Sequence, residues 1–128
     1  MNLHEQQLIS VFIVKNKRDR FFQFLNNPKR RKDLIAELAH FKHLDTKYIV
    51  KIPGPNQNVE TIYKFLKSKG SPDECYVLSE NIIIDGKFLK LDYVIRETLG
   101  SGFGTIVSCK PGELAYYEGE LERFFLIK

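Results

Sequence analysis

Gly104-Thr105-Ile106-Val107-Ser108-Cys109, then Lys110-Pro111-Gly112-Glu113, then Leu114-Ala115-Tyr116-Tyr117 follow one another without interruption. The outer runs are rich in β-branched and aromatic residues, and the Pro-Gly pair between them is turn chemistry, so the stretch spells two antiparallel strands joined by a hairpin. Upstream, Cys75 to Leu78 reads as a strand, residues 81–91 contain an Asp85-Gly86 turn, and Leu91 to Leu99 forms a helix stopped by Gly100. Downstream, Arg123 to Ile127 is a last strand. The N-terminal half is different. Residues 4–14 are apolar and ambiguous: Leu8, Val11 and Phe12 suit a helical face and Val11 to Val14 suits a strand, with helix the preferred assignment. Phe21, Phe22 and Leu25 carry a helix over 17–26 until Asn26-Asn27-Pro28 breaks it. Pro28 fits the first position of a new helix capped by Asn27 and running to about residue 42, with Leu34, Ile35, Leu38 and Phe41 on one stripe. Thr46 to Ile52 reads as a strand, Pro53-Gly54-Pro55-Asn56 as a loop, and Val59 to Lys69 as a helix ending at Gly70. The expected architecture is α+β: N-terminal helices followed by a mixed α/β unit with a partly antiparallel sheet.

The 128 residues suit a single domain spanning 1–128, since domains of about 100–150 residues bury enough surface to fold without disulfides or metals. At 43% hydrophobic and 28% charged, the composition excludes disorder and fibrous repeats. No apolar run approaches the ~18 residues of a membrane helix, and Leu8 to Val14 lacks the flanks of a signal peptide. Cys75 and Cys109 are therefore expected as reduced thiols, and the expected compartment is cytoplasmic.

Four strings, Glu37-Leu38-Ala39-His40-Phe41, Cys75-Tyr76-Val77-Leu78-Ser79-Glu80, Gly104-Thr105-Ile106-Val107-Ser108-Cys109 and Leu114-Ala115-Tyr116-Tyr117-Glu118-Gly119-Glu120, resemble a group of small bacterial proteins. The resemblance implies a bacterial origin and carries no activity and no catalytic or binding residue.

The net charge of +4 is unevenly spread. Residues 1–50 hold ten Lys/Arg against five Asp/Glu, while residues 51–128 hold ten against eleven. The excess is concentrated in Lys15, Lys17, Arg18, Arg20, Lys29, Arg30, Arg31 and Lys32, opposed within 15–32 only by Asp19. At the other end Glu113, Glu118, Glu120 and Glu122 lie within ten residues that contain no base. If Pro28 opens a helix, Lys29 to Lys32 fill its first turn, where the macrodipole disfavours each cation by about 0.3–1 kcal/mol. A bound anion would offset that, and a cationic helix start after another helix is the way a helix-turn-helix meets DNA, although Asn26-Asn27 is a short corner for that motif. A solvated face paired with residues 113–122, or with Asp33 and Glu37, explains the same pattern. The favoured function is a non-enzymatic bacterial binding protein that engages a polyanion, nucleic acid, through this segment. Self-association or a protein partner using the charge dipole is one alternative.

A small hydrolytic enzyme is the other. If the strands at 75–78 and 104–109 are parallel and joined by the helix at 91–99, Ser79, Glu80, Ser108 and Cys109 converge at one sheet edge, where open α/β sheets bind ligands. Cys109 would be the nucleophile and Glu80 its base, although a carboxylate neighbour raises a thiol's pKa and a buried structural cysteine is the competing explanation. Glu37, His40 and His43 are spaced i, i+3, i+6 but fan too widely on a helix to be assigned as a metal site. The glycines at 100–104 follow a helix and precede a strand, the reverse of a phosphate loop, and the prolines of 53–55 remove amide donors from the other candidate loop. No cofactor is expected.

Overall fold

A computed structural model describes all 128 residues. The chain folds as an α+β domain in three layers, with a six-stranded sheet between two helical layers. The N-terminal layer holds α1 (Leu3–Gln7), which widens into a π-helical segment over Leu8–Phe12, then α2 (Arg18–Asn26) and α3 (Arg31–Ile35). The strands are β1 (Ile49–Lys51), β2 (Glu74–Ser79), β3 (Phe88–Lys90), β4 (Thr105–Lys110), β5 (Leu114–Glu118) and β6 (Arg123–Ile127). The second helical layer consists of α4 (Val59–Ser68) and α5 (Leu91–Thr98).

Strand order is β1-β6-β5-β4-β2-β3, and every neighbouring pair is antiparallel. Side chains alternate across the sheet. Tyr76, Leu78, Ile106, Tyr117, Phe124 and Leu126 pack with Leu8, Ile9, Phe12 and Phe21 of the N-terminal layer. Cys75, Val77, Val107, Tyr116 and Phe125 pack with Ile62, Leu66, Val94 and Ile95 of α4 and α5. Burial on both faces is why β2, β4 and β5 are apolar almost throughout rather than alternating.

Two expectations need correction. The strands at 75–78 and 104–109 are antiparallel, with Val77 opposite Val107 and Ser79 opposite Thr105. The chain turns at Asp85-Gly86, where Gly86 takes φ +75°, and β3 returns along β2 before α5 begins, so α5 does not bridge two parallel strands. The helix expected over 28–42 is also absent as such. Pro28 to Arg30 form a turn, α3 spans five residues, and a 3₁₀ turn follows at Leu38–His40. The carbonyls that would continue the helix are used elsewhere: Tyr117 Oη donates to Leu38 O at 2.6 Å and the Glu120 amide donates to Ala39 O at 2.9 Å. A neighbouring glycine permits this docking, since any Cβ on Gly104 would overlap the backbone of Leu38 and Ala39.

Candidate functional site

The basic segment divides into one sequestered residue and seven at the surface. Arg31 lies half-buried and leaves the block to bind inward. Its Nη1 is 2.5 Å from Glu5 Oε2, its Nη2 3.0 Å from Asp85 Oδ1, and its Nε donates to Asp85 Oδ2 at 3.2 Å. Tyr76 Oη donates to the same Glu5 oxygen at 2.5 Å, and the Ser79 amide donates to Asp85 Oδ1. Burial pushes the Glu5 carboxyl up, but hydrogen bonds from Tyr76 and Arg31 and from the Asn2 backbone outweigh it and hold the group below its ordinary value. Burial, with the acceptor Glu5, pushes Tyr76 up to about 12. This network ties α1, α3, β2 and the turn before β3 together, so Arg31 is a structural residue and no longer a candidate for ligand contact.

The other seven remain outward or half-exposed. The guanidinium groups of Arg20 and Arg30 both lie over the Phe24 ring, 5.2 and 4.9 Å from its centroid, and each has one acidic neighbour, Glu37 at 3.0 Å and Asp33 at 2.5 Å. Stacking on an aromatic ring fixes both cations in direction while leaving about half of each exposed. Arg18 Nε donates to Ile13 O at 3.0 Å. Lys15, Lys17, Arg18, Lys29 and Lys32 form no ion pair. None of the block meets Glu113, Glu118, Glu120 or Glu122. Glu118 is instead buried against Arg123 (3.2 Å) and accepts hydrogen bonds from Tyr116 Oη and the Gly100 amide, while Glu120 faces His40 at 2.6 Å. Lys29 to Lys32 are not the first turn of a helix; the Asn27 side chain accepts from the Lys29 amide within the turn, and only Arg31 and Lys32 enter α3.

The strand-edge candidates do not converge. Antiparallel pairing puts Ser79 and Glu80 at one end of the β2–β4 ladder and Ser108 and Cys109 toward the other. Ser79 Oγ is bonded to Thr105 Oγ1 at 2.7 Å, and Glu80 Oε1 accepts from the Gly104 amide at 2.7 Å. Cys109 is fully buried, and its neighbour Cys75 together with burial pushes its thiol up. Ser108 Oγ lies 2.7 Å from His4 Nδ1, a pairing that brings together residues 104 positions apart. Burial lowers the His4 pKa. Of Glu37, His40 and His43, only the first and last meet: His43 Nε2 lies 3.5 Å from Glu37 Oε1, while His40 turns away to Glu120.

A cleft of about 720 Å³ lies beside β1, within the roughly 300–1,000 Å³ typical of ligand sites. Phe41, Leu44, Ile49 and Phe124 supply its apolar lining, and Lys42, Lys51 and Arg123 its charge, opposed by Glu122. Lys42 carried no signal in the sequence, and Lys51 figured only at the head of the proline-interrupted loop 51–58; both line this cleft once β1 pairs with β6. Glu5 carried one legible signal, the Asn2-x-x-Glu5 spacing of a capping box, which forms as that spacing implies. No family model, curated protein or solved structure matches this chain.

Proposed function

We propose that the protein is a non-enzymatic binding protein that engages a polyanion, nucleic acid, through the cationic surface of its N-terminal layer. The observation that carries this reading is the stacking of Arg20 and Arg30 on Phe24, amid five further cations without a protein counter-ion. Seven bases, Lys15, Lys17, Arg18, Arg20, Lys29, Arg30 and Lys32, stand against Asp19, Asp33 and Glu37, which leaves this surface at +4 once Arg31 is assigned inward. A phosphate backbone gains from such a surface by releasing condensed counterions, and guanidinium groups held in direction by an aromatic ring are suited to phosphate oxygens. Separation of Ser79 and Glu80 from Ser108 and Cys109 removes the premise of the hydrolytic alternative.

The test is anisotropy titration of labelled single- and double-stranded oligonucleotides at low salt. Binding is expected for the wild type, and Lys29→Ala with Lys32→Ala weakens it without lowering the melting temperature, since neither side chain is packed. Absence of binding to either oligonucleotide at low salt refutes the proposal.

A further inference from the structure

β1 is an edge of the sheet, paired with β6 alone. An unpaired edge is a template for another strand, and an added strand sends its side chains alternately to the two faces. Beside β1 there is a cleft on each face. On the side of the N-terminal layer is the 720 Å³ cleft, floored by Ile49 and Phe124. On the side of α4 is a smaller one of 110 Å³, between Val50, Phe65 and Phe125. The register accounts for the division, because Lys51 lies opposite Phe124 and Val50 opposite Phe125 in the β1–β6 ladder. Val50, at the middle of the edge, is 40% exposed.

The charge at this edge selects the occupant. Lys42 and Lys51 are exposed and unpaired, Arg123 is anchored by Glu118 and by Gln57 Oε1 at 3.0 Å, and Glu122 is the one acid in the lining, so the free cations outnumber it. A second copy of this chain adding through its own β1 would bring a second Lys42 and Lys51 to the same edge, a concentration of like charge that disfavours pairing. An extended segment carrying carboxylates meets the opposite situation. We propose that β1 and its two clefts form a docking site for an extended peptide with an apolar core flanked by acidic residues, which adds as a seventh strand and places its carboxylates against Lys42 and Lys51. This site shares no residue with the cationic surface around Phe24 and does not depend on nucleic-acid binding.

The probe is a fluorescein-labelled peptide with a valine and leucine core and glutamates at both ends, titrated into the full chain. Saturable binding is expected, accompanied by slower amide hydrogen exchange over β1. Lys42→Glu with Lys51→Glu should weaken it by about tenfold or more, because a favourable charge contact becomes a repulsive one. Both side chains are exposed, so an unchanged melting temperature separates this effect from unfolding. N-methylation of alternate peptide amides should abolish binding while leaving the protein untouched. Three results overturn the proposal: no saturation with the glutamate peptide, equal binding of the N-methylated peptide, or equal binding by the double variant. Equal binding of the N-methylated form would mean that carboxylates alone are captured, with no strand added.

Discussion

At Glu5, desolvation and hydrogen bonding act in opposite directions, and the hydrogen bonds prevail. Because its carboxyl titrates lower in the folded chain than when unfolded, its contribution is present above the unfolded value, near 4.5, and is lost as the pH falls through the folded value. Glu5→Gln should cost about 1.5–3 kcal/mol at pH 7, the range for hydrogen bonds to charged groups, and its stability should fall less steeply than the wild type's below pH 4.5 in urea denaturation. Tyr76 has the opposite sign. Its hydroxyl, raised from 10.0 to about 12, favours the fold at pH values below 10 and loses that contribution as the pH rises toward 12. The alkaline limb of the stability curve should accordingly be shallower in Tyr76→Phe. Cys109, buried and with its thiol pushed up, should react with an alkylating agent more slowly than free cysteine in the native state and at an ordinary rate once unfolded. The network around Arg31 was not legible in the sequence, because its members lie 26, 45 and 54 positions from Arg31 and no spacing rule links them.

Elements with a strong local period emerged close to their expected limits. The helices expected at 59–69 and 91–99 are Val59–Ser68 and Leu91–Thr98, because each carries an apolar stripe and ends at a glycine that takes positive φ, Gly70 or Gly100. The hairpin at 104–117 likewise follows from its own turn residues. Elements whose form depends on distant partners did not. The stripe of Leu34, Ile35, Leu38 and Phe41 promised one long helix, yet Tyr117 and the Glu120 amide take the carbonyls of Leu38 and Ala39 and the chain flattens onto β4 and β5. Strand direction was equally hidden: a strand buried on both faces is an apolar run whether its neighbours are parallel or antiparallel. Gly104→Ala tests the docking of residues 38–39. An added methyl meets backbone rather than a flexible side chain, so the variant should lose about 1–3 kcal/mol or more, read as a lower melting temperature, as overpacking does elsewhere.

Across the whole molecule the charge asymmetry survives folding, and its interior part does not. Only Arg31 is drawn into the protein, the glutamates of 113–122 find other partners or remain in solvent, and the remaining cations stay on the N-terminal layer, on one side of the three-layer stack. Sequence counting located this excess correctly but treated all eight residues alike, since nothing local distinguishes Arg31 from Arg30. The salt dependence of DNA binding measures that distinction directly. The logarithm of the association constant should fall linearly with that of the salt concentration, and Lys29→Ala with Lys32→Ala should reduce the slope by about 2, roughly one for each phosphate that is no longer neutralised. Arg31→Met should lower the melting temperature and leave the slope of the folded protein unchanged. A wild-type slope near zero, or one that Lys29→Ala with Lys32→Ala leaves intact, would contradict a nucleic-acid surface in the N-terminal layer.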